Sequence, residues 1–212
     1  MTALTVQSSS YPVQFTVDYP DRALNRLTTA LRLLVAIPIL IVLESVSGGH
    51  FSSRSGDVVT YGAGATLFLG PLLMIVFRQK YPRWWFDWNL ELQRFGNRVL
   101  VFLALMDDHY PSTDERQSVH LDYDYPDSRR DLNRWLPLVK WLLAIPHFVV
   151  LVFLWLAAIV AVVAAWFAIV FTGRYPRGIF GFVEGVLRWT QRVVAYAFLL
   201  VTDRYPPFSL AA

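Results

Sequence analysis

Between Pro146 and Phe171 the chain runs for 26 residues without an Asp, Glu, Lys or Arg, and extended back to Leu138 it holds one charge, Lys140. Val58 to Phe77 is a second charge-free run, of 20 residues. Both exceed the roughly 18 to 20 apolar residues that mark a bilayer-spanning segment. A shorter run, Leu33–Leu43, is bounded by Arg32 and Glu44. Other stretches alternate. In "VQFTVDYP" from Val13 and "VHLDYDYP" from Val119, apolar residues fall at every second position, which predicts short strands with Val13, Phe15 and Val17, or Val119, Leu121 and Tyr123, on one side. Two further segments, 89–106 and 183–201, carry paired arginines four residues apart and an apolar end, and predict amphipathic helices.

These patterns recur in order. "VDYPDRALNRLTTALRLLVAIP" (Val17–Pro38) aligns with "YDYPDSRRDLNRWLPLVKWLLAIP" (Tyr123–Pro146), and the Tyr-Pro-Arg at Tyr81 aligns with that at Tyr175, bringing Arg94 onto Arg188 and Arg98 onto Arg192. The expected organisation is therefore an internal duplication. Residues 1–111 form a first repeat with a strand, an apolar hairpin over 31–77 and an amphipathic helix over 89–106. Residues 112–212 form a second, with its hairpin over 138–171 and its helix over 183–201. A single helix over 138–171 would be about 51 Å long against a bilayer core of about 30 Å, so a tight turn near Ala157-Ala158 is expected. The fold class is mainly α: integral membrane hairpins, amphipathic interfacial helices and short β-strands at the membrane surface.

Composition sharpens this picture. The chain has 212 residues, is 55% hydrophobic and 16% aromatic, carries a formal charge of +3 and contains no cysteine. Disulfides, thiolate nucleophiles and Cys-ligated metals are thereby excluded. Basic residues gather at the ends of apolar runs and form no continuous stripe, so no nucleic-acid partner is expected. If only the hairpin legs cross, 16 Lys/Arg lie on one side against Arg54 on the other. A multipass protein of the bacterial inner membrane with cytoplasmic termini follows from the positive-inside rule. The N-terminus lacks the pattern of a cleaved signal peptide.

Seven of the ten tyrosines precede a proline, commonly beside Arg, Lys or Asp. Proline stops a helix and tyrosine suits headgroup depth, so Tyr81, Tyr175 and Tyr205 are expected as interface anchors. Arg83, Arg94, Arg98, Arg177, Arg188 and Arg192 are expected to meet phospholipid headgroups. "LLAIPH", "AWFAIVFTGRYPRGIF" and "VLRWTQRVVAYAFLLVTDRYPPFSL" resemble the bacterial membrane family called domain of unknown function 4389. That resemblance covers Val119–Leu210, with the first repeat a degenerate member. It implies a multipass membrane protein and no activity.

Candidate chemistry is sparse. His147 lies inside the apolar run, where an ionisable residue is a functional hypothesis by default, and a haem or chlorophyll-type pigment ligand is weighed against a neutral, hydrogen-bonded ring. Asp107, Asp108 and His109 in "MDDHYP" are weighed as metal ligands against a solvated loop, and the solvated loop is preferred. Asp18, Asp21, Asp124 and Asp127 are read as helix caps or partners of arginines, with no catalytic role. No nucleophile elbow, P-loop or dinucleotide fingerprint occurs. The expected function is a non-catalytic accessory or scaffold subunit packing against other membrane subunits, in a respiratory or photosynthetic assembly. A lipid-binding protein or a small transporter component is the alternative.

Overall fold

The computed structural model describes residues 11–47, 69–113, 115 and 117–211. The alternating segments form β1 (Val13–Val17) and β2 (Val119–Tyr123), and they pair with each other, antiparallel, with Phe15 opposite Leu121. Each strand buries its apolar positions and exposes the rest: Gln14, Thr16, His120 and Asp122 face outward. Period-two alternation dictates this one-faced burial.

The helices are α1 (Arg26–Ala30), α2 (Arg32–Ser47), α3 (Leu69–Arg78, whose second half, Met74–Arg78, is π-helical), α4 (Arg83–Leu103), α5 (Pro137–Leu143), α6 (Ile145–Thr172) and α7 (Arg177–Ala197). The protein is mainly helical. α4 packs on β2 and α7 on β1, while α6 packs on α7 and α1, and α2 on α4. The described residues thus form three layers, with α4 and α7 between the two-stranded ribbon and the apolar helices.

The expected hairpin over 138–171 is corrected. α6 is one unbroken helix of 28 residues, about 42 Å long, with no turn at Ala157-Ala158. After Pro146, near its N-terminus, the segment contains no Gly or Pro, and its alanines and leucines are strong helix formers, so a turn there would break backbone hydrogen bonds that nothing nearby replaces. The break comes instead at Ala144, between α5 and α6. The charge tally across hairpin legs loses its basis with the hairpin. α6 alone, among the described residues, is long and apolar enough to cross a membrane. Of the first expected hairpin, 31–77, α2 and α3 are described, and the segment between them lies outside the described residues.

The amphipathic segments also differ from expectation. α4 and α7 start at Arg83 and Arg177, earlier than 89 and 183, because Pro82 and Pro176 stand in extended conformation at the N-cap and launch the helix. They end before Leu105 and Leu200, both of which have left-handed backbone (φ 63° and 58°). α4 keeps an exposed face, with Arg83, Trp84, Asp87, Trp88 and Glu91 outward, whereas α7 does not. α7 is buried along most of its length, because its polar residues find partners inside the protein.

Candidate functional site

The Tyr-Pro-Arg corners that open α4 and α7 have one geometry, met twice. The Tyr125 hydroxyl donates to the Tyr81 carbonyl, and the Tyr19 hydroxyl to the Tyr175 carbonyl, each at 2.5 Å. The Arg83 guanidinium lies 4.7 Å above the Tyr125 ring, and that of Arg177 4.8 Å above the Tyr19 ring. Phe86 meets Tyr125 edge-on, and Phe180 meets Tyr19 in the same way. Each corner leaves its arginine outward, with the side chains of Arg83 and Arg177 68% and 80% exposed. Neither helix has a capping side chain or an acidic residue in its first turn. Both corners present a stacked cation at the positive end of a helix, each with one exposed carboxylate beside it, Asp87 3.3 Å from Arg83 and Asp21 3.6 Å from Arg177.

The interface anchors are placed differently from expectation. Tyr81 and Tyr175 are buried, and the Tyr81 hydroxyl donates to the Leu199 carbonyl at 2.7 Å. Burial pushes both phenols above the ordinary tyrosine value, so they remain neutral. Tyr205 is the exposed one of the three, with its hydroxyl on the Leu143 carbonyl at 3.1 Å.

Four of the six arginines expected at headgroups turn inward. Arg188 Nε donates to the Phe15 carbonyl and Arg94 Nε to the Leu121 carbonyl, both at 2.8 Å. These are the central residues of the two strands, so a guanidinium covers the middle of each outer edge of the ribbon, which hinders pairing with another strand. Arg98 donates to the carbonyls of Ser112 and Thr113, and Arg192 to those of Ser209 and Ala211. The physical reason is the cost of leaving buried carbonyls unpaired, which a five-donor guanidinium meets where the local backbone cannot.

His147 is fully buried. Trp189 Nε1 donates to its Nδ1 at 3.1 Å, and Phe208 stacks on its ring at 4.0 Å between centroids. Accepting at Nδ1 puts the proton of the neutral ring on Nε2. A neutral, hydrogen-bonded ring fits this arrangement at Nδ1 only, since the buried Nε2 has no hydrogen-bond partner among the described residues.

Asp107, Asp108 and His109 gather their ligand atoms within 4.8 Å of one another. Arg22 already occupies the cation's place: it pairs with Asp108 through two nitrogens and lies 3.6 Å from Asp107 Oδ1. Asp107 also accepts from Ser118 Oγ at 2.7 Å and binds the His109 ring at 2.9 Å. Burial pushes the Asp107 carboxyl up, but the Ser118 hydroxyl and the amide and ring of His109 outweigh it and hold the group below the ordinary carboxylate value. Beside it opens a cavity of about 430 Å³ lined by Asp18, Tyr19, Arg22, Asp107, His109 and Ser118. Of the other acids, Asp18 meets His120 Nε2 at 2.9 Å and Asp21 approaches Arg177 at 3.6 Å. Asp127 accepts from the Arg129 amide and lies 3.7 Å from Arg130. Asp124 lines a separate polar cavity with Asp131 and Asp203.

Two buried polar links were not foreseen. Lys140, the lone charge in its apolar run, is fully buried and pairs with Asp203 at 2.7 Å, while donating to the Thr202 carbonyl. Burial pulls its ammonium below the usual lysine value, against the opposing pull of Asp203. Gln191 Nε2 donates to Asn97 Oδ1 at 3.0 Å, joining α7 to α4, and Tyr123 donates to Gln191. Lys140 was conspicuous in the sequence as a charge without a neighbouring acid; the glutamine and asparagine carried no such signal.

Residues 135–209, spanning α5 to α7 and the segment after it, match the family model described as domain of unknown function (DUF4389). No curated protein and no solved structure matches the chain.

Proposed function

We propose that this chain is a non-catalytic membrane protein, built from two copies of one unit, that serves as a scaffold or accessory subunit of a larger membrane assembly. The observation that carries the reading is the outward apolar surface of α6. Val160 and Phe171 are 70% and 74% exposed, and Val152, Phe153, Leu156, Ile159, Val163 and Phe167 are exposed beside them. A surface of this kind is unstable in water and calls for lipid or another membrane protein. Support for the duplication comes from the repeated corners and from the way Arg94 and Arg188 serve the two strands alike. Arg83 and Arg177, the two expected headgroup arginines that remain outward, are the proposed phosphate contacts.

The absence of a catalytic role rests on how the polar groups are used. The buried arginines, Lys140 and His147 are engaged in internal contacts. Purification of the full chain from its membrane in mild detergent, with mass spectrometry of co-eluting chains, tests the proposal. A stoichiometric membrane partner is expected. A solitary protein that stays in solution without detergent would remove it.

A further inference from the structure

The layer order bears on how the protein meets a bilayer, an inference that rests on the membrane reading above. α7 runs back alongside α6, with Trp155 Nε1 donating to Thr190 Oγ1 at 3.2 Å. Two residues before Thr190, Arg188 holds the Phe15 carbonyl at the centre of β1. The midpoint of Ile145–Thr172 falls between Ala158 and Ile159, only about 5 Å along the axis from Trp155. The ribbon is therefore level with the middle of α6, on the far side of α7.

Were α6 to cross a bilayer along its axis, the outward face of the ribbon would lie at the depth of the membrane centre. That face carries Gln14, Thr16, His120 and Asp122, and the Asp122 side chain is 71% exposed. The His120–Asp18 pair is exposed at the same level. Charged groups at such depth are strongly disfavoured unless something covers them.

The geometry points to the other orientation: the protein sits in one leaflet, with the α2, α5 and α6 layer immersed among lipid chains and the ribbon in water. α2, α5 and α6 expose Leu33, Leu34, Ile41, Trp141, Phe153 and Val160, all apolar. The ribbon stands on the far side of one helix layer, two layer spacings or roughly 20 Å from α6. Exposed Arg26 and Arg174 lie together beside the C-terminal end of α6, at the rim of the immersed layer, where lipid phosphates would meet them. Exposed acids are not confined to the ribbon: Asp21 and Asp87 stand beside Arg177 and Arg83, and Glu44 lies near the end of α2. Both ends of α6 then lie on the same side of the membrane, as does the ribbon.

The chain has no cysteine, so single cysteines report position cleanly. Thr16→Cys marks the ribbon, Arg174→Cys one end of α6, and Arg204→Cys the segment beside α5 at the other end; all three sites are exposed. Sealed vesicles from cells making the full chain are treated on one face with a membrane-impermeant maleimide. Labelling of all three cysteines from one face is the expected result. Arg174→Cys and Arg204→Cys reacting from opposite faces would mean that α6 crosses, and the proposal falls while the membrane reading survives. A chain absent from the membrane fraction sinks the membrane reading itself. A spin label at Val160→Cys adds depth: about 5 to 10 Å below the headgroups is expected. A label at the bilayer centre, or one shielded from lipid by another protein, overturns the assignment.

Discussion

Arg94 and Arg188 hold the same place against the two strands, yet their surroundings differ. Arg188 also donates to the Leu210 carbonyl and pairs with Glu184, and it is nine-tenths buried. Arg94 completes its contacts with Glu91 and Asp122, two exposed carboxylates. The cause is the segment after α7, which folds back over that helix. Gly185 receives Leu210 so closely that an added Cβ would lie 2.9 Å from the Leu210 Cβ. Three positions before Arg94 stands Glu91, where three before Arg188 stands Gly185, and the notch is lost. One edge-closing device is thus sealed by backbone in one half and by solvated side chains in the other. A second contrast runs the other way: Arg32 donates to the Asp107 carbonyl at 3.0 Å and stacks on Phe102, while Lys140 binds the Thr202 carbonyl and the Asp203 carboxylate.

The largest effect is expected at that second contrast. Lys140→Ala leaves Asp203 without its buried partner and is expected to cost about 3–5 kcal/mol in equilibrium unfolding in detergent. Arg32→Ala removes one charged hydrogen bond and a ring contact, for about 1.5–3 kcal/mol. Equal losses would show the two halves to be energetically interchangeable. Next comes Gly185→Ala, expected to cost about 1–3 kcal/mol by forcing Leu210 out of its notch. Proteolysis should then cut the segment after α7 sooner than in the unaltered chain. Unchanged protection would mean that the arginine contacts, and not the notch, hold the segment.

The corners should respond alike. Tyr19→Phe and Tyr125→Phe each remove one hydroxyl from a carbonyl, for about 1 kcal/mol apiece. A clear difference between them would count against the proposed duplication. The smallest effect concerns acid. Asp107 titrates below its unfolded value, so the stability it contributes is present above about pH 4 and is lost as pH falls through the depressed folded value. Thr202 stands at the corresponding place in "VTDRYP" and cannot titrate. Asp107→Asn should therefore flatten part of the acid limb of a stability–pH curve, and Thr202→Val should leave its shape unchanged.

The strands and the apolar nature of 145–172 were legible in the sequence; the helices after Tyr-Pro were legible as elements, but their expected starts at 89 and 183 fall six residues after the observed ones at Arg83 and Arg177. Each depends on neighbours close along the chain: alternation dictates a one-faced strand, proline fixes the N-cap, and an uninterrupted aliphatic run buries its own backbone bonds in a helix. The tight turn expected near Ala157-Ala158 is absent on this same local ground: the helix-forming residues there keep their backbone hydrogen bonds whatever the thickness of a bilayer.

Tertiary structure alone decided which strand pairs with which, and where the charges go. Val13 meets Tyr123, Arg188 reaches the Phe15 carbonyl 173 residues away, and Lys140 finds Asp203 across 63 positions. Periodicity states that a face is buried without stating against what. An arginine in a sequence looks the same whether it will meet a phosphate or a backbone carbonyl. The choice is made only when folding presents an unpaired carbonyl within its reach, since leaving that group dry and unbonded costs more than withdrawing the guanidinium from the surface.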